Sequence, residues 1–340
     1  MALNTIEMLN SIRNSASTDY QDRIPVATRD NLLEIGRGLL QYKEIKNEFT
    51  GAIGKIALQL FNNYMGENKL KPLKSGELIY GSDIEEFFVE RAKGNEYDPE
   101  GPNPLTRKKP EIKIMYHRKN YSAQYDVSLS DTQIRTAFTS VGNLNNLMSM
   151  IVNSLYAGAE DDEYINMKEI LATYFVKDEA GQDTSVYAYA DYEVPKIVDK
   201  STAERFVKTV RKAVSDMSYA SKNYNAMGVT TKTNKENIYF LVHKDVIAEV
   251  DVEVLAKAYN MGKTDFEPTI IEVDNFGSME NTYGLLIDKD FMKVYDVLFD
   301  METMRNGKGK FTNYFLTVEQ IHSISRFKNA IRLVTPPVTP

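Results

Sequence analysis

The sequence predicts an α+β fold, and three observations predict it. A Gly- and Pro-punctuated stretch of short β-prone runs spans residues 72–128; a long helical pattern follows it at once; and the second half alternates helices with buried strands. The chain is 42% hydrophobic and 26% charged, ordinary globular proportions, so a packed core is expected and a disordered or fibrous chain is not. No Gly/Ser tract or charge block cuts the sequence, and the expected subdomains therefore share interfaces.

At the N-terminus, Leu3, Ile6, Leu9 and Ile12 recur every three residues. Thr28 is placed to cap a second amphipathic segment through Leu32, Ile35, Leu39 and Leu40. The polar residues 14–27 between them read as a loose connector, so residues 1–48 are expected to form an arm. Residues 49–71 hold a further helix, with Ile53, Ile56, Leu60 and Tyr64 on one face, stopping near Gly66.

Residues 72–128 then read as a long hairpin with a polar tip. Its acidic residues, Glu85 and Glu86 among them, crowd the outgoing limb, and Arg107, Lys108, Lys109 and Arg118 crowd the return. Such a limb pair could neutralise itself or dock on a neighbour, and if it docks these six residues are the contact candidates. Ser130 or Asp131 caps a helix whose apolar period runs from Ile134 to Leu155, roughly 40 Å at about 1.5 Å per residue. A second helix from Glu163 and a strand at Tyr187–Tyr192 complete residues 129–195.

From residue 196 to 310 one mixed subdomain is expected. Ser201 and Glu204 have capping-box spacing ahead of Phe206, Val207, Val210, Ala213, Val214 and Met217. A buried strand, Ile238–Val242, and a helix through Val252 and Leu255 follow, then strands at 270–273, 283–287 and 293–298. Residues 311–340 carry a return strand.

Chemistry is hard to find. The chain has no cysteine, which removes disulfides, thiolate nucleophiles and cysteine-held metals, and folding in a reducing cytoplasm is expected. His117, His243 and His322 stand alone, without metal-ligand spacing. Gly51-Ala-Ile-Gly-Lys55 is a helix and no phosphate loop, since Ile56 stands where Ser or Thr is needed. Gly307-Lys-Gly-Lys310 reads as a turn, and Glu160-Asp-Asp-Glu163 as a helix N-terminus rather than a cation site. No catalytic residue, cofactor or metal is assigned. A net charge of −7 opposes gripping nucleic acid along a basic face, and no apolar run approaches the roughly 18 residues of a membrane span.

Several ordered strings carry a resemblance. They include Tyr80-Gly-Ser-Asp-Ile-Glu-Glu-Phe87, Ile112-Lys-Ile-Met-Tyr-His-Arg118, Tyr125-Asp-Val-Ser-Leu-Ser-Asp-Thr-Gln-Ile-Arg-Thr-Ala-Phe138, Val273-Asp-Asn-Phe-Gly277 and Ser325-Arg-Phe-Lys-Asn-Ala-Ile331. From about residue 72 onward the chain resembles the major capsid proteins of small podophages of Gram-positive hosts and their crAss-like relatives. It departs from them at Thr312 and Glu319, where such proteins often carry tryptophan.

The resemblance implies an HK97-like phage capsid fold. Its parts would be an N-terminal arm (1–48), a peripheral-domain helix (49–71), an extended loop or E-loop (72–128), a spine helix with peripheral domain (129–195), an axial domain (196–310) and a C-terminal return (311–340). It also implies a virion protein assembled in the host cytoplasm into pentamers and hexamers of itself. Portal and scaffolding protein are the implied partners, and the shell would enclose dsDNA without sequence-specific binding or membrane contact. An encapsulin-like compartment shell, which shares the fold, and another virion structural protein are the alternatives.

Overall fold

The computed structural model describes residues 5–61, 68–78, 81, 83–94, 109–140, 143, 146–147, 150–151, 153–174, 189–249 and 270–336. Its helices are α1 (Thr5–Ser15), α2 (Thr18–Arg23), α3 (Leu32–Gln41), α4 (Lys43–Phe61), α5 (Asp131–Ala137), α6 (Gly158–Thr173), α7 (Lys200–Ser218) and α8 (Lys244–Glu249). The strands are β1 (Gly76–Glu77), β2 (Asp83–Val89), β3 (Ile112–Arg118), β4 (Tyr121–Ser130), β5 (Ala190–Glu193), β6 (Ile238–His243), β7 (Ile270–Val273), β8 (Thr282–Asp288), β9 (Met292–Asn306), β10 (Phe311–Ile324) and β11 (Ala330–Val334). Two compact units result, each built from three separated segments. One holds residues 1–68, 121–164 and 296–320, the other 69–120, 165–295 and 321–340.

In the first unit the N-terminal segment is part of the core and not the free arm that its polar connector suggested. Met8, Leu9, Ile12, Tyr20, Ile24, Ile35 and Leu39 are buried in one cluster with Phe49, Phe138, Leu155 and Tyr314. Residues 14–27 are tied down by their polar groups: the Ser17 hydroxyl caps α2 by accepting from Tyr20 N, and the Arg13 guanidinium donates to the carbonyls of Ile24 and Gln21 at 2.7 and 2.8 Å. Thr28 does not cap α3. Asn31 holds that position, and its Oδ1 accepts from the Thr28 amide at 2.8 Å. Gly51–Lys55 lies inside α4, as expected; the side chains of residues 53–61 and the stop near Gly66 lie outside the described residues.

The expected single rod from Ser130 to Tyr156 is corrected. Ser130 caps α5 with a full capping box to Gln133, but α5 ends at Ala137. Phe138 turns inward against Phe49, with ring centroids 5.5 Å apart, and Thr139 Oγ1 donates back to the Thr136 carbonyl at 2.6 Å. Ser140 Oγ then accepts from Asn143 N and restarts the helix, so side-chain bonds that compete with the ladder set the break. Beyond it, Asn143, Asn146, Leu147, Met150 and Ile151 are helical, and a π-turn at Asn153–Ala157 runs directly into α6. The helix expected to begin at Glu163 thus begins at Gly158, and the acidic Glu160–Glu163 stretch forms its first turns. Antiparallel pairing from Phe311↔Ser130 to Gln320↔Tyr121 joins β4 to β10, with β9 on the far side of β10. Gly307–Lys310 is the turn between β9 and β10. Asp131 ties these pieces together, accepting from Lys46 Nζ at 2.5 Å and from both terminal nitrogens of Arg305 at 2.8 Å.

The second unit centres on a five-stranded sheet ordered β5-β11-β8-β6-β7, in which β6 and β8, and β8 and β11, are antiparallel. The amphipathic face of α7, Phe206 to Met217, buries against Ile238, Phe240, Val242, Leu286, Ile331 and Leu333, as its period predicted. Its cap is Asp199 with Thr202, not Ser201 with Glu204: the start lies two residues earlier because Asp199 Oδ1 accepts from Thr202 N at 2.8 Å. At Gly284 the neighbouring strand comes so close that a Cβ would sit 2.6 Å from the Phe240 ring and 2.8 Å from the Leu241 carbonyl. The helix expected through Val252 and Leu255 lies outside the described residues.

Candidate functional site

The hairpin also belongs to the second unit, and its return limb ends earlier than the sequence suggested. Among the described residues, β2 pairs with β3 from Asp83↔Arg118 to Val89↔Ile112. Residues 121–130, which continue the same alternation, leave it to join β10 as β4. Asn120 makes the switch, its side chain donating to the His322 carbonyl and accepting from the His322 amide, both at 2.8 Å.

Because side chains alternate across a strand, the ribbon has two faces with different surroundings. The inner face carries Glu86, Phe88, Lys113 and His117, and it lies on its own unit. His117 is buried, with Nε2 3.2 Å from Glu86 Oε2 and Nδ1 2.7 Å from Ser323 Oγ. Ser325 Oγ donates to Glu86 Oε1 at 2.8 Å, and Lys293 Nζ stands 3.7 Å from the same oxygen. Burial pushes the Glu86 carboxyl up, but the His117 hydrogen bond, the Lys293 charge and the Ser325 hydroxyl outweigh it and hold the group below its ordinary 4.5. An ionised Glu86 accepts only, so His117 Nε2 carries the proton between them.

Further out along the same face, Phe88 stacks on Phe327 at 5.8 Å, Lys113 Nζ donates to the Met227 carbonyl at 3.0 Å, and Thr230 Oγ1 donates to Glu90 at 2.8 Å. The turn that receives them is itself fixed. Asn225 Nδ2 donates to the Val229 carbonyl at 2.7 Å, and Thr231 Oγ1 to Asn329 Oδ1 at 2.7 Å.

Among the described residues, the large apolar side chains of the outer face have no such partners. Across the register it pairs Phe87 with Ile114 and Val89 with Ile112, next to Glu85 with Tyr116. Phe87 is 68% exposed, Tyr116 55%, Ile112 54%, Ile114 48% and Val89 47%: five large apolar side chains on a ribbon two strands wide.

Of the six residues chosen from the sequence, Glu85 and Arg118 lie on this outer face, Arg118 Nε 3.4 Å from Asp83, and Lys109 is exposed just ahead of β3. Glu86 points the other way and is engaged within its own chain. Arg107 and Lys108 lie outside the described residues. Sequence reading passed over the apolar stripe, although the alternation in Asp83–Val89 and Ile112–Arg118 contains it. It also treated His117 as isolated, since its partner is 31 residues away. The other two histidines are structural: His322 is buried in β10, and His243 Nδ1 accepts from Asp245 N at the start of α8. Among the described residues no group of three potential metal ligands forms, and no helix is long and apolar enough to cross a membrane.

A β-hairpin, a broken helical rod and a mixed sheet domain follow one another along the chain, as in the HK97-like capsid fold. Solved capsids share that architecture. The capsid structure of Staphylococcus phage Andhra superposes with a TM-score of 0.58 over 78% of this chain and 83% of that one at 15% identity. That of cyanophage P-SCSP1u gives 0.51 over 78% and 88% at 11%. Sequence similarity is nearer to another group. The major capsid protein of Bacillus phage PZA is 34% identical over 97% of this chain and 72% of its own length, and that of Bacillus phage B103 is the same on all three measures. The family of Phi29-like phage major capsid proteins matches residues 9–334, and the chain belongs to it. It is a structural protein of a tailed-phage capsid, not an enzyme.

Proposed function

We propose that copies of this chain associate in rings of five and six that close into a head around dsDNA, with the β2–β3 ribbon of each copy, the E-loop of the family reading, reaching an adjacent copy. The observation that carries this is the ribbon itself. Fourteen paired residues cannot enclose a core, and five of their eight large apolar side chains face solvent in a lone subunit. Glu85, Lys109 and Arg118 rim the contact and, with Arg107 and Lys108 as further contact candidates, favour one register, which is how charge at an interface edge usually acts. Portal and scaffolding proteins are the further partners. A chain of net charge −7 suits enclosing DNA without adhering to it.

Replacing residues 83–118 by a short Gly/Ser linker tests this. The expected product is a folded subunit, retaining its helical circular dichroism, that forms no shells when expressed with the portal and scaffold genes of its genome. Particles of normal size and number from that variant would overturn the reading.

A further inference from the structure

We propose that the two faces of the ribbon serve different partners: the inner face holds it to its own subunit, and the outer stripe of Phe87, Val89, Ile112, Ile114 and Tyr116 is the surface on which a second copy packs. The inference deepens the proposed self-association and rests on it.

Three arguments single out the stripe. The inner face is spent, since Glu86, Phe88, Glu90, Lys113 and His117 all have partners on the same chain. The outer face is continuous, because cross-strand pairing sets Phe87 beside Ile114 and Val89 beside Ile112. Finally, at these exposures the five residues leave roughly 500 Å² of surface in solvent, the size of the largest patch a monomer normally tolerates and more than half of the roughly 800 Å² each partner gives a stable interface.

A second copy is the fitting occupant, because in a shell built from one chain a like subunit stands beside every ribbon. Most of the stripe asks for no charge from its partner. Its flanking Asp83 and Arg118 already pair with each other across the register, and Glu85, opposite Tyr116 at the same end, is the one further charge on this face, so the Phe87–Ile114 and Val89–Ile112 pairs are neutral. The contact is therefore apolar in its middle and charged only at its rim, and it should resist salt while failing when the stripe is made polar.

The absence of cysteine makes the test direct, since an introduced thiol is the sole reactive one. Phe87→Cys and Tyr116→Cys chains are labelled with a maleimide as free subunits and as assembled shells. Labelling at least tenfold slower in shells, for either position, is the expected result. Equal rates in both states would overturn the inference. In parallel, Phe87→Ser/Ile114→Ser is expected to fold with an unchanged Tm and yet to form no shells. Normal shells from that double variant would also overturn it, because polar side chains would then serve as well. Both failures differ from failure of the underlying proposal: if the stripe is not the contact but the ribbon is, the linker replacement still abolishes shells while these variants do not.

Discussion

The five-stranded sheet and the β2–β3 ribbon lie in the same unit and use the same residue types, yet they bury them differently. Phe240, Leu241, Leu286, Ile331 and Leu333 are fully enclosed by their own chain. Phe87, Ile112, Ile114 and Tyr116 are about half in solvent or more. The sheet is thus complete as a monomer, whereas the ribbon is complete on one face only. Apolar surface in the first place stabilises the fold, and in the second it is held in reserve for association. Mutations should separate along that line.

The largest effect is expected where the sheet leaves no room. Gly284→Val forces a side chain into the Phe240 ring and the Leu241 carbonyl, and the carbonyl belongs to a paired strand that cannot yield. A loss of about 3 kcal/mol or more, read by denaturant unfolding, follows from overpacking together with broken strand register. Phe206→Ala, which empties a fully buried site on α7, is expected to cost about 3–5 kcal/mol. Phe87→Ala, deleting a ring of comparable size from the ribbon's outer face, should stay within about 0.5 kcal/mol. A large stability loss from Phe87→Ala would erase the distinction between the two regions.

The inner face supplies the intermediate case. Glu86→Gln keeps the shape but removes the charge that faces His117, Ser325 and Lys293, and hydrogen bonds to a charged group are worth about 1.5–3 kcal/mol. Amide exchange in β2 and β3 should quicken by about tenfold or more while exchange in β6 and β8 is unchanged. Acidification should act likewise. The Glu86 pKa is depressed in the folded chain, so its contribution is present above the unfolded value near 4.5 and is lost as pH falls through the lower folded one. Ribbon exchange in the wild type should therefore rise below pH ~4.5, and in Glu86→Gln that step should be missing.

These contrasts also explain what could be read without coordinates. The α7 face and the β6 strand were legible because local period and burial agree there. The helix start was legible for a similar reason, with Ser130 and Asp131 both open as its cap; the capping box to Gln133 decides for Ser130. Three features were not. The end of the hairpin was hidden because residues 121–130 continue its alternation and only pairing with β10 decides their sheet. The interruption at Phe138–Ser140 was hidden because Phe138 keeps helical phase although its neighbours bond to side chains. The N-terminal arm was misjudged because its polar connector satisfies its groups through Arg13 and Ser17 across distances that spacing does not reveal. At the ribbon, charge segregation caught the eye, while the division of labour between its faces depends on what lies beneath it.

The smallest expected effect bears on that last point. Arg118 stands 3.4 Å from Asp83 with 73% of its side chain in solvent, and exposed pairs of this kind contribute about 0–1 kcal/mol. Arg118→Ala combined with Lys109→Ala should leave subunit stability within about 0.5 kcal/mol. Shell yield should change by no more than about twofold at ordinary ionic strength, with a slower assembly rate at low salt, since rim charges govern encounter more than holding. Quantitative sedimentation of shells against free subunits measures both. Loss of shells from these two substitutions, with the apolar stripe intact, would mean that charge and not apolar burial joins the ribbon to its neighbour, and the line drawn between the two faces would have to be moved.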